Sequence, residues 1–549
     1  MRPRTAAWRH ALGAVAAAAA CAGPAWAGLP GSRTAAGTDG SAAEISLDFA
    51  PAPMGYIPYV PAPKAPAQRP ARLDAKTLAQ LALEQNAEVL YARLQSRVSE
   101  QAAEAESGLY LPVAYANLRR EGRNRQRTVE ERLTAALGGI TRLNESVLAG
   151  ETGVRVKAPS GAEVALAWRA NQRRNNVIGS ATFATSDAEA TGALVLSLRQ
   201  PLLRGAGRDV VETDLRVARH EREIGTWQFR QQVLRIGSEA LSTYWQLWRA
   251  RETQALRRAA LDNAQEALGD VKSRVDGGRL PPAALDESSA VLSARRAELA
   301  RGQQALFDAE ARVRVLLDLP PQDGGWDLAE PEPESAPPAR GLAALAERLP
   351  DVEAAWPPLR MAQLKREQAD ARLRLAHSKK LPALDVQASY SSNSLVYGPL
   401  DAAIKATQGR NPDWTVGVAM EVPLGGDRRA QAEYRAQQLR VEQSALEVHS
   451  VRQALASDYF NRAAQLDELR RELAQLRDEL SAREQLEAGV REQFTLGAAP
   501  RSRLLRLQAD VLDARLRLVD GNSRVALARV ALQLVDGSLL AAHDVRIDE

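Results

Sequence analysis

Along residues 412–422 every second position is apolar: Trp414, Val416, Val418, Met420 and Val422 alternate with Thr415, Gly417, Ala419 and Glu421. The same period of two recurs at Leu384, Val386, Ala388 and Tyr390, and at Leu194, Leu196 and Leu198. Alternation of this kind predicts strands with one apolar and one polar face. A lipid-facing barrel strand and a half-buried strand of a soluble sandwich share the pattern. The segments that follow decide between them. No proline occurs between Pro201 and Pro281 or between Pro423 and Pro500, and Leu466, Leu469, Leu473, Leu476 and Leu480 keep a three-four spacing. That seam predicts coiled-coil packing. A continuous helix over 430–494 would be roughly 100 Å long, which a soluble sandwich cannot use.

The pattern occurs twice. Adding 219 to a position pairs Gly207 with Gly426, Val275 with Phe494, Gly278 with Gly497, Pro281 with Pro500 and Leu285 with Leu504. Tyr244-Trp245 pairs better with Tyr459-Phe460, at a separation of 215, so about one helical turn differs between the copies. An internal duplication is the simplest cause. Each copy reads helix, strand, loop, strand, long helix, turn, helix, with Leu111-Pro112 and Leu381-Pro382 opening the first strand. The strand in "SLRQPLLRGAGRD" stops at Pro201, which lacks a ladder donor, and Gly205 and Gly207 allow the redirection into helix. Pro423, Gly425 and Gly426 form the matching junction.

The predicted boundaries are a signal peptide at 1–27, an extended Pro/Ala-rich segment at 28–71, a first repeat at 72–318, a Pro-rich linker at 319–340, a second repeat at 341–540 and a tail at 541–549. Arg2, Arg4 and Arg9 precede an apolar run that leads to "PAWA", a secretory pattern with cleavage after Ala27. Acylation of Cys21 is the alternative, although Ala18 stands where a lipoprotein usually has a bulky aliphatic residue. Beyond the signal no stretch reaches the ~18 apolar residues of a membrane helix. An exported chain that enters a membrane would therefore use strands. The first copy carries about fifty extra residues between Pro112 and Pro201, and 122–192 reads as an enlarged extracellular loop, part of it a hairpin around "PSG" at 159–161, with extra barrel strands as the lesser alternative.

Charge and chemistry narrow the function. The 72 basic and 68 acidic residues are interspersed, which gives a nucleic-acid partner no support. The five histidines lack ligand spacing, and no phosphate loop, nucleophile elbow or H-E-x-x-H is present, so neither a catalytic site, a metal site nor a cofactor is expected.

The repeated order of the "LP" steps, the "QPLLRGAG" and "VPLGG" junctions and the turn glycines followed by proline resembles the TolC-like outer-membrane efflux family over about 73–540. The resemblance implies a mainly α, α+β fold in which a transmembrane β-barrel is completed by trimerisation. Four strands per chain would make twelve in all, and the helices would continue as a periplasmic coiled-coil barrel. It further implies an outer-membrane channel of a Gram-negative cell, set in outer-membrane lipid and passive in itself. A homotrimer would join a periplasmic adaptor and an inner-membrane pump of RND or ABC type, in tripartite efflux or type I secretion. The tips that meet the adaptor would carry Val275, Gly278, Leu280 and Pro281, and Phe494, Gly497 and Pro500. Where relatives carry acidic residues at the pore constriction this chain has Arg503 and Arg506, with Arg501 beside them. Pairing of these arginines with Glu484, Glu487 or Glu492 is the competing reading. A periplasmic adaptor and a secreted coiled-coil scaffold are the alternatives of another class; the first has one helical hairpin instead of two, and the second does not need the alternation at 414–422.

Overall fold

A computed structural model describes residues 73–128, 141–176, 188–320, 326–328, 342–396, 399–409, 411–543 and 545. The expected signal peptide and the 28–71 segment lie outside the described residues, as do much of the linker and part of the tail. The described chain divides into a sheet unit, Ala103–Ala218 with Gln368–Val441, and a helical unit built from Val60–Ala102, Arg219–Glu367 and Glu442–Glu549.

The sheet unit contains β1 (Val113–Gln126), β2 (Arg142–Lys157), β3 (Glu163–Asn175), β4 (Ala188–Pro201), β5 (Ala383–Val396) and β6 (Pro412–Glu421), paired antiparallel in the order of the chain. This corrects the expectation of four strands per chain and of an enlarged loop at 122–192. Most of the excess is β2 and β3, laddered to each other and, on their outer sides, to β1 and β4. The excess is sheet, and both new strands alternate: Val154 and Val156, then Val164, Leu166 and Trp168, lie on one face, while charged residues lie on the other. In a sequence those charges look like a solvated loop; in a sheet they are one side of a period-two pattern. A short helix, which we call α8 (Pro399–Ala406), follows β5. Its Ala402 and Ala406 are buried, and the Ser394 hydroxyl donates to the carbonyl of Ala402.

The other helices are α1 (Ala75–Gln85), α2 (Ala87–Ser107), α3 (Arg208–Val211), α4 (Thr213–Asp276), α5 (Ala283–Leu316), α6 (Leu342–Ala355), α7 (Pro357–Lys379), α9 (Arg428–Thr495), α10 (Arg501–Val535) and α11 (Leu539–Ala542). The starts of α4 and α9 are 215 positions apart and their ends 219, so α9 is four residues longer, about one helical turn. Equivalent tyrosines anchor the two helical cores. Tyr244 is buried among Leu78, Ile236, Leu241 and Val313, and Tyr459 among Val352, Leu359, Leu455 and Val535. Each stacks on the aromatic residue that follows it, Trp245 at 5.6 Å and Phe460 at 5.8 Å between ring centres. The leucine seam packs as its spacing predicts: Leu466 and Leu473 are buried against Val525 of α10, with Leu469 and Leu518 beside them.

Candidate functional site

The ladders pair odd-numbered residues with odd and even with even through all six strands, so parity alone names the face of the sheet. On the even face, Leu118, Leu166, Leu196, Tyr390, Trp414, Val416, Val418 and Met420 are exposed. The charged residues of that face are Arg120, Arg142 and Arg174, all toward the end of the sheet far from the helices. At that end Ala190, Gly192 and Ser394 are small, and Ala402 of α8 packs over Ser394. The rest of the even face is an uncharged band of the height a lipid-facing wall needs.

The odd face is polar and its charges are paired across strands. Glu151 on β2 accepts from Arg169 Nε at 3.2 Å and from the Tyr115 hydroxyl at 3.0 Å. Glu145 meets Arg173 Nε at 2.9 Å, and Asp385 on β5 meets Arg199 at 2.6 Å. Toward the helix-bearing end this face holds a hollow of about 610 Å³ lined by Arg155, Lys157, Glu163, Arg199, Gln387 and Thr415. Such a surface suits water and dissolved ions, not hydrocarbon.

The strand-to-helix junctions depend on left-handed glycines. Gly205, Gly207 and Gly426 have φ of 81°, 92° and 74°. Gly425 is neither left-handed nor crowded, and nothing in the structure requires glycine there. Pro201 is the last residue of β4, and Pro423 accepts from the Gly426 amide at 3.0 Å just after β6. The first junction is held from the side by the β2–β3 turn: Gly207 N–H donates to Ser160 O at 3.1 Å, and Ser160 Oγ donates to Gln200 Oε1 at 2.9 Å. Beyond it, Glu212 accepts from Arg208 Nε at 2.9 Å and from the Tyr110 hydroxyl at 3.0 Å. Sequence reasoning missed Ser160, Gly161, Tyr110 and Glu212, because their partners lie on elements distant in the chain.

Both helical tips close with the same capping motif. Gly278 (φ 69°) donates to Val275 O at 2.9 Å and Arg279 to Arg274 O at 2.8 Å. Gly497 (φ 74°) donates to Phe494 O at 2.9 Å and Ala498 to Gln493 O at 2.8 Å. These paired bonds satisfy the last carbonyls of α4 and α9, and glycine carries the left-handed backbone. Pro500 caps α10, and Pro281 lies just before α5. Val275 and Leu280 are half-buried, whereas Phe494 and Leu496 are exposed. The structure brings the two tips together: Arg274 reaches Ser502 Oγ at 3.5 Å, and Arg501 pairs with Glu266 at 3.3 Å. Of the carboxylates in the alternative pairing, Glu484 meets Arg515 and Glu487 meets Arg491. Arg503 and Arg506 are exposed and have no ion partner among the described residues.

Among the described residues no group of three His, Cys, Asp or Glu side chains is placed to hold a metal ion, and no helix is long and apolar enough to cross a membrane. A two-faced antiparallel sheet whose strands alternate in sequence with very long helices defines the fold class. Comparison with known proteins gives the same class. Residues 349–538 match the family model of the outer membrane efflux proteins. The chain is 23% identical over 423 residues to the outer membrane efflux protein BepC of Brucella suis, covering 76% of this chain and 87% of that one. It is 26% identical over 269 residues to the pyoverdine export outer membrane protein OpmQ of Pseudomonas aeruginosa, covering 43% and 53%. Among solved structures, the outer-membrane channel OprN superposes with a TM-score of 0.59 at 14% identity, covering 87% of this chain and 98% of that one. The outer membrane protein VceC of Vibrio cholerae superposes with 0.56 at 13% identity, covering 84% and 96%. The chain is thus similar to the outer membrane efflux proteins, by the family model over residues 349–538 and by BepC over 423 residues. Members of that family are trimeric outer-membrane channels, not enzymes, that work with an adaptor and an inner-membrane pump.

Proposed function

We propose that three copies of this chain join edge to edge into one barrel through the outer membrane and pass cargo from an inner-membrane pump to the cell exterior. The observation that carries this reading is the sheet itself, whose even face is charged only at Arg120, Arg142 and Arg174 and which ends in β1 on one side and β6 on the other. Unpaired strand edges cannot remain in hydrocarbon, where each unsatisfied backbone group costs several kcal/mol. In a ring of identical copies, β1 of one chain and β6 of the next run antiparallel and satisfy each other.

The two capped tips, with Val275, Gly278, Leu280 and Pro281 on one side and Phe494, Gly497 and Pro500 on the other, dock the periplasmic adaptor. The exposure of Phe494 and Leu496 supports this, since an apolar pair at a helical tip suits a helical partner. Arg503 and Arg506, with Arg501 held by Glu266, line the narrowest part of the conduit. Their exposure and their freedom from ion partners support a ring of positive charge.

The test is extraction and assembly. The protein is expected to require detergent for release from the outer membrane and to migrate as a trimer before boiling. A detergent-independent monomer would overturn the reading.

A further inference from the structure

We propose that the β2–β3 hairpin is an integral part of the barrel wall, so that the trimer closes with eighteen strands and the hairpin acts as a spacer that widens the outer opening. This rests on the trimeric reading above and goes beyond it, because three chains of four strands would close with twelve. The hairpin lies between β1 and β4, and its strands span 16 and 13 residues. A transmembrane β-strand needs about 9–11. Removing the hairpin from the wall would break its ladders to both neighbours at once.

Its two faces match those of the other strands. Val154, Val156, Leu166 and Trp168 continue the uncharged band of the even face in register with Leu194 and Leu196 of β4, and the hairpin's Arg142 and Arg174 lie beyond that band, toward its far end. On the odd face the hairpin carries Glu145 and Glu151 on β2, paired with Arg173 and Arg169 on β3. These two cross-strand ion pairs suit a wet lumen and would be costly in lipid. The turn is fixed as well. Gly161 lies where an added Cβ would be 2.7 Å from Gly205 O, and Ser160 O accepts from Gly207 N–H. A loop hanging free of the wall has no reason to lock into the strand-to-helix junction.

Barrel diameter grows roughly in proportion to strand number, so eighteen strands make a cylinder about half again as wide as twelve. The outer opening then does not sieve cargo by size, and selection falls to the helical tip. The hairpin is a specificity-determining element in this sense, since it removes a constraint that a narrower wall would impose.

Cysteine labelling in proteoliposomes tests the assignment, because cleavage after Ala27 removes the sequence's one cysteine, Cys21, and the unsubstituted protein serves as the unlabelled control. Leu166→Cys is expected to resist a charged, water-soluble thiosulfonate, because a thiol facing hydrocarbon stays protonated and out of the reagent's reach, and Ala165→Cys to be modified about tenfold or more faster. Val418→Cys and Gly417→Cys on β6 are the matched pair. If the β6 pair keeps its parity while both β3 cysteines react with the charged reagent, the hairpin is outside the wall and the inference fails, although the channel survives. If the β6 pair also loses parity, the channel reading itself fails. A direct strand count on the imaged trimer gives a second readout, with eighteen expected and twelve fatal.

Discussion

Gly161 and Gly205 touch backbone to backbone: a Cβ placed on Gly161 would be 2.7 Å from the Gly205 carbonyl oxygen and 3.0 Å from the Pro201 ring. Gly161 also has a φ of 90°, a conformation that side chains resist. The turn of the β2–β3 hairpin and the β4-to-helix junction are therefore one packed unit. Gly161→Ala is expected to lower stability by about 1–3 kcal/mol, seen as a lower temperature at which the trimer dissociates on gels. Gly122→Ala, where nothing lies within 4 Å, should change it by less than about 0.5 kcal/mol.

That contact also marks where the sequence stopped being informative. The alternation at 384–390 and 414–420, the turn glycines Gly278 and Gly497 and the leucine seam were legible because each is a local pattern with a fixed period. The 215 and 219 separations likewise gave the extra turn of α9. The hairpin at 154–168 is visible as alternation, but the sequence favours a loop over added strands because its odd positions carry Arg155, Lys157, Glu163 and Arg169 and look solvated. Only the register shows that Arg169 faces Glu151 and that Leu166 faces Leu196. The Gly161–Gly205 contact joins residues 44 apart in sequence with no periodicity between them, and no local signal could have found it.

Leu473 is buried against Val525 on the neighbouring helix. Truncation to alanine leaves a cavity that a long coiled-coil seam cannot close by collapse. Leu473→Ala is expected to cost about 2–4 kcal/mol. Since the two residues share one cavity, Leu473→Ala with Val525→Ala should cost less than the sum of the singles, with a coupling of about 0.5–3 kcal/mol. Strict additivity in denaturant titrations would mean that the seam is not shared.

At the tips, Gly278 and Gly497 have open space around them, so a methyl group there meets nothing and only the left-handed backbone resists it. Gly278→Ala and Gly497→Ala should each cost about 1–2 kcal/mol of local strain. If that strain falls on the docking geometry, adaptor affinity drops by about fivefold to thirtyfold for each while trimer dissociation is unchanged. Surface plasmon resonance with the adaptor's helical hairpin measures this. Leu496→Ser, at an exposed position, separates apolar docking from backbone geometry by weakening binding without altering the cap.

Glu212 gives the junction a pH dependence. Burial pushes its carboxyl upward, but the hydrogen bonds from Arg208 and Tyr110 outweigh that and hold it below the usual carboxylate value. A carboxyl whose folded value is depressed stabilises the fold fully above its unfolded value and loses that contribution as pH falls through the folded one. The junction is therefore expected to hold at neutral pH and to loosen below about pH 4.3. Hydrogen exchange of the 208–216 amides should accelerate there. Glu212→Gln should flatten this acid response while leaving exchange in β5 unchanged.

Arg503 and Arg506 lie three residues apart near the start of α10, exposed and without ion partners among the described residues, whereas Arg501 is occupied by Glu266. In a threefold assembly they would repeat as a belt of like charge, and a narrow charged belt in a low-dielectric wall selects ions by sign. Single-channel reversal potentials in a salt gradient should therefore indicate anion preference for the native chain. Arg503→Asp with Arg506→Asp should reverse that preference, because both substitutions lie on exposed positions and change the sign of the belt without touching the buried Leu504 and Leu505. Glu266→Gln should shift selectivity little, since Arg501 keeps its charge whether or not it is paired. Cation preference in the native channel, unaltered by the double substitution, would place the constriction elsewhere on the conduit.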